Sequence, residues 1–124
     1  MASEQLTIQS AEPEPGLRVI TLTGPLTLST MFGFQTDIRR EASDSIVVDL
    51  AGVPYMDSAG LGCLLGAMAS CQRSHRGFAL AGVSERVLTV FEVTGVENLV
   101  PMYPSVDAAT AALKAKTAGA PSGS

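Results

Sequence analysis

Leu6-Thr7-Ile8-Gln9 alternates apolar and polar side chains, the period of a strand with one buried face. Leu17 to Thr23 alternates in the same way and is rich in β-branched residues. Between them Glu12-Pro13-Glu14-Pro15-Gly16 predicts a turn, because two prolines and a glycine interrupt any ladder. The two segments are expected to pair as an antiparallel hairpin that ends at Gly24-Pro25. From Thr27 to Glu41 the period changes. Ser29 and Thr30 are helix starters, and Met31, Phe34 and Ile38 follow at helical spacing. Ser45 to Leu50 holds an unbroken Ile-Val-Val run, which predicts a strand covered on both faces, with Asp49 near its end. After the loop Ala51 to Met56, Leu61, Leu64, Leu65 and Met68 trace one stripe of a helix that opens at Ser58 and closes around His75-Arg76-Gly77. Phe78 to Gly82 is a short apolar strand, and Ser84 opens a helix that Thr94-Gly95 closes. Leu99 to Met102 is an edge strand, demoted by Pro101. Ser105 caps a last helix carrying Val106, Ala109 and Leu113.

This order, two strands and then helices alternating with strands, predicts an α/β domain. Its sheet is mixed, four- or five-stranded and mostly parallel, with about four helices. The 124 residues suffice for one domain, expected over 1–116, with a flexible tail over 117–124. The chain has no tryptophan and few aromatics, so aliphatic packing fills the core, and Met31, Met56, Met68 and Met102 read as core fillers. A net charge of −4 argues against nucleic acid as a partner. Met1 to Gln5 lacks the features of a signal peptide, and no apolar run reaches the length of a membrane span. Both point to a cytoplasmic protein without membrane insertion. Cys63 and Cys71 lie eight apart on one helix, roughly 12 Å along its axis, too far for a disulfide; reduced thiols are expected.

The candidate chemistry centres on Asp57-Ser58-Ala59-Gly60-Leu61-Gly62, which follows a buried strand and starts a helix. A serine there can cap free amides of the first turn or carry a phosphate that the helix dipole favours. Gly60 and Gly62 leave little bulk, so another protein can approach. The simpler reading is that Asp-Ser is a cap and the glycines permit packing. A serine hydrolase is excluded by geometry: the lone histidine, His75, stands about 25 Å away at the far end of the same helix. A Gly-Lys-Ser or Gly-Lys-Thr phosphate loop is missing, and Asp44, Asp49 and Asp57 form no acid-rich cluster, so neither catalytic residues, cofactor nor metal is expected.

Ile46 to Leu50, followed by Met56-Asp57-Ser58-Ala59-Gly60-Leu61-Gly62, resembles the signature of the STAS-domain family of anti-sigma factor antagonists and sulfate-transporter tails. Gly77 to Ser84, followed by Phe91 to Val96, is similar to that family's next strand and helix, and the likeness runs from about Leu6 to about Leu113. The resemblance implies a non-enzymatic binding switch. Unphosphorylated, the protein sequesters an anti-sigma factor that is itself a serine kinase, and so releases a sigma factor. Phosphorylation at Ser58 breaks the complex and a serine phosphatase resets it. Asp57 would orient the serine or touch the partner, and Ala59, Gly60 and Leu61 would lie in the contact surface. Family members commonly carry an acidic residue in the loop after the second strand, where this chain has Thr27. The alternative is a non-phosphorylated adaptor, as in the STAS subunit of a lipid-transport ABC complex. The protein itself is expected to be a monomer or weak homodimer.

Overall fold

The computed structural model describes residues 5–40 and 43–119. In chain order its elements are β1 (Thr7–Glu14), β2 (Leu17–Thr23), α1 (Met31–Arg40), β3 (Ser45–Gly52), α2 (Ser58–Arg73), β4 (Gly77–Ala81), α3 (Glu85–Val93), β5 (Met102–Tyr103) and α4 (Val106–Gly119). The five strands form one sheet in sequential order, β1-β2-β3-β4-β5. β1 and β2 are antiparallel, and every later pair is parallel. This is the mixed α/β arrangement that the alternation of periods predicts.

The Ile-Val-Val run explains how the layers are held. Ile46, Val48 and Leu50 face α1, α2 and α3, where they meet Phe34, Leu64 and Phe91. Val47, one residue out of phase, faces the opposite side and packs with Ala79 and with Ala109 and Leu113 of α4. A strand buried on both sides needs apolar residues at consecutive positions, and β3 supplies them. Small side chains on β4, Ala79 and Ala81, let α4 lie close to its face of the sheet.

Several boundaries differ from expectation. β1 continues through Pro13 to Glu14, so only Pro15 and Gly16 make the turn. An edge strand tolerates proline because one side of its ladder is unused, and the register shift between Ala11 and Glu14 absorbs the misfit. α1 starts at Met31, not Thr27. Thr30 Oγ1 donates to the Pro25 carbonyl at 2.8 Å and accepts from the Thr27 amide at 2.9 Å, fixing a turn ahead of the helix. Asp49 lies inside β3 rather than at its end, where its carboxylate accepts from the Ala51 amide at 3.0 Å. α2 stops at Arg73. His75 takes a left-handed φ of 58°, its amide donating to Gln72 O and that of Arg76 to Cys71 O, a closure for which glycine was the expected residue. β5 falls at Met102–Tyr103, since Pro101 has no amide and contributes only its carbonyl, which accepts from Leu80. α4 runs to Gly119, past the expected start of the tail. Glu41, Met1 to Glu4 and 120–124 lie outside the described residues.

Leu64 is fully buried where α2 meets the sheet. Leu64→Ala is expected to lower the unfolding free energy by about 2–5 kcal/mol in urea denaturation. Val93→Ala, at a position 80% exposed, should change it by less than about 0.5 kcal/mol.

Candidate functional site

Parallel strands bring the loops after β2 and after β3 to the same end of the sheet. Here the two loops are joined directly. The Gly24 amide donates to the Gly52 carbonyl at 2.9 Å and the Leu26 amide to the Tyr55 carbonyl at 3.2 Å. The Asp57 amide returns a bond to the Leu26 carbonyl at 3.3 Å, and Leu26 and Met56 form a parallel bridge. Leu26 itself is fully buried and Met56 nearly so, so the pairing is anchored in the core.

Asp57 completes the junction. It is the N-cap of α2, with extended backbone, and one carboxylate oxygen accepts from the Gly60 amide at 2.9 Å. The other accepts from the Leu28 amide at 3.1 Å, across a separation of 29 residues. One carboxylate therefore caps a helix and straps the neighbouring loop to it. Partial burial pushes the Asp57 carboxyl up, but the amides of Gly60, Leu28 and Ala59 hold the charged form more strongly, and the net position is below the usual carboxylate range.

Ser58 follows as the first residue of α2, and it is exposed. Asp-Ser does provide a cap, as the simpler reading expects, but of its two residues Asp57 supplies it and not Ser58, which leaves the serine hydroxyl without that task. Thr27 sits half-buried at the same end, next in sequence to the strapped Leu28, its hydroxyl 3.1 Å from that of Ser29. Ala59 is half-buried. Gly60 and Leu61 are not surface residues. Leu61 is only 4% exposed and belongs to the core, and a side chain at Gly60 would collide with the Leu26 carbonyl. Their expected place in a contact surface is replaced by a role beneath it: Gly60 is small so that the loops can meet. Gly62, in contrast, is exposed and has open space around it.

The sequence patterns assign no role to Leu28 or Phe32. Both are 58% exposed and flank the turn that leads into α1. A signal was present, because Phe32 lies off the Met31, Phe34 and Ile38 stripe that turns inward.

The remaining candidates lie elsewhere. Cys63 and Cys71 are free thiols, buried on α2, and burial pushes both upward, with Arg76 opposing the shift at Cys71. His75 stands beyond the opposite end of α2 from Ser58. Among the described residues no His, Cys, Asp and Glu side chains gather as a group of three fit to hold a metal, and no helix is long and apolar enough to cross a membrane.

The sequence model of the STAS domain family matches residues 9–109. An anti-sigma-B factor antagonist of Staphylococcus epidermidis is 37% identical over 62 residues, 50% of this chain and 57% of the relative, so the match spans little more than half that protein's length. Among solved structures, an anti-sigma factor antagonist from Mycobacterium paratuberculosis superposes with a TM-score of 0.78 at 22% identity, covering 88% of this chain and 94% of that one. The anti-sigma factor antagonist SpoIIAA in its unphosphorylated form gives 0.73 at 22% identity, over 87% and 96%. At that identity the two structures establish a shared fold.

Two outcomes test the junction. Gly60→Ala should destabilise the protein by about 1–3 kcal/mol through overpacking against Leu26, whereas Gly62→Ala should be neutral or stabilise it by up to about 1 kcal/mol; thermal melts compare them. Asp57→Ala should cost about 1 kcal/mol at neutral pH. Because the folded state holds this carboxyl below its unfolded value, the contribution is complete above the ordinary carboxylate range and is lost on acidification through the folded value. Denaturation at a series of pH values should therefore show wild type and variant converging below about pH 4.

Proposed function

The chain belongs to the STAS domain family, and from that premise we propose that it is an anti-sigma factor antagonist switched by phosphorylation at Ser58. The observation that carries the reading is an exposed serine at the first position of α2, beside a carboxylate already committed to capping. Unphosphorylated, the protein binds an anti-sigma factor that is a serine kinase, and the sigma factor is released. Phosphorylated, it lets the kinase go, and a serine phosphatase restores it. It works in the cytoplasm and catalyses nothing itself; the chemistry belongs to the partners.

The sign of the switch follows from charge. A phosphate brings about −1.5 to −2 charges to the residue next to Asp57. At a solvated helix N-terminus the dipole returns about 1 kcal/mol, so the free protein accommodates the group. Under a partner the same charge loses solvent, which costs several kcal/mol unless a cation meets it, and each 1.4 kcal/mol is a factor of ten in affinity. The interface cost is the larger quantity, so the complex breaks while the fold stands. Relatives named anti-sigma-B factor antagonists, and SpoIIAA with its unphosphorylated form, support the reading.

Incubation with ATP and the anti-sigma factor kinases of the source organism should add one phosphate at Ser58, located by mass spectrometry, and Ser58→Ala should abolish it. Ser58→Glu should weaken the complex by roughly two to three orders of magnitude while leaving the thermal melt near wild type. Absence of labelling, with affinity capture dominated by transporter subunits, would favour an adaptor instead.

A further inference from the structure

We propose that Leu28 and Phe32 are apolar anchors of the partner-binding face, so that the anti-sigma factor kinase covers Ser58 with an apolar recess. The proposal rests on the reading above that such a kinase binds over Ser58, and it adds which side chains hold the kinase and what surface it must present.

Large apolar residues exposed among the described residues are Leu28, Phe32, Val93 and Leu99. The last two belong to the end of α3 and the loop after it. The first two stand four residues apart where the loop after β2 enters α1, and Leu28 cannot drift from Ser58. Its amide is held 3.1 Å from the carboxylate of Asp57, the residue preceding Ser58. A protein that reaches the Ser58 hydroxyl therefore meets Leu28 as well.

The polar groups closest in sequence are already engaged, and the cation at this junction, Arg86, lies over the ring of Tyr55. The Asp57 carboxylate is occupied by two amides, and Thr27 is half-buried with its hydroxyl beside that of Ser29. Beyond α1 the surface is mixed: a groove of about 260 Å³ lies between α1 and α2, where Gln35, Ser70 and Arg73 stand beside the buried Phe34 and Ile38, and it opens where Gly62 and Gly66 carry no side chains. Gly62 is one helical turn from Ser58. Burying a leucine and a phenylalanine supplies affinity that depends little on salt, whereas a phosphate arriving at the border of an apolar contact loses solvent that the contact itself does not replace. Thr27, neutral and half-buried, fits the same picture of a neutral contact.

Titration calorimetry without ATP tests this, using the full chain and each purified anti-sigma factor kinase of the source organism. Leu28→Ser and Phe32→Ser should each weaken binding about tenfold or more, with unchanged thermal melts, and Val93→Ser should leave it within about twofold. Wild-type affinity should change less than about threefold between roughly 50 and 500 mM salt. If both variants bind within about twofold of wild type while Ser58→Glu releases the kinase, the anchors are wrong and the switch stands. If the substitutions instead weaken only self-association, seen by sedimentation, the face belongs to a second copy and the proposal is overturned. If no kinase binds the wild-type chain, the switch and the anchors both fall.

Discussion

A single carboxylate, that of Asp57, decides how the functional end of this molecule is built. Its two oxygens take the amides of Gly60 and Leu28, one from its own helix and one from a loop 29 residues earlier. Without that bridge the loop after β2 would still touch the loop after β3 through backbone bonds at Leu26. The exposed turn at Leu28, however, would have no tie to the helix start. The bridge also requires Gly60, since only a residue without a side chain lets the Leu26 carbonyl lie against the first turn of α2. Cap, strap and glycine are thus one device, and each member is explained by the other two.

That device sets the electrostatics in which Ser58 sits. A helix N-terminus offers about half a positive charge, and Asp57 already draws on it. A second anion on Ser58 would share amides that are partly spoken for, so its stabilisation in the free protein is modest and solvent does most of the work. This makes the site sensitive to being covered. While water is present the added charge is tolerated, and a partner that removes water must supply groups to replace it. The sensitivity belongs to the interface rather than to the fold, whose core lies beneath Leu61 and Leu64.

Much of this was legible in the sequence, and the failures share a cause. The period-2 and period-3.6 patterns gave the mixed sheet and its helices, because burial imposes those periods directly. The double-sided burial of β3 was visible in three consecutive β-branched residues. Boundaries were lost where a local hydrogen bond outcompeted the pattern: Thr30 shortened α1, and His75 in a left-handed conformation closed α2 where glycine was expected. At the site, proximity of Thr27 to Asp57-Ser58 could be expected from strand order. The strap to Leu28 could not, since nothing in a one-dimensional pattern marks which amide a carboxylate will find. Gly60 and Leu61 were assigned to a contact surface by the family resemblance alone; the helical stripe shared by Leu61, Leu64 and Met68 already turned Leu61 inward, and the packed loop shows that Gly60 faces inward as well.

The division between what the fold needs and what a partner meets carries a further consequence. Leu26, Met56, Gly60 and Leu61 are constrained by internal packing, and changes there are felt as stability. Thr27, Leu28, Phe32, Ser58 and Gly62 are at least partly exposed and rest on that support without being required by it. A chain can therefore alter the second set while the first stays fixed, so that the surface around Ser58 can change without loss of the fold. Under that constraint any difference in what the surface recognises has room to arise only in the few residues the core does not claim, Leu28 and Phe32 being the ones among them that expose large apolar side chains.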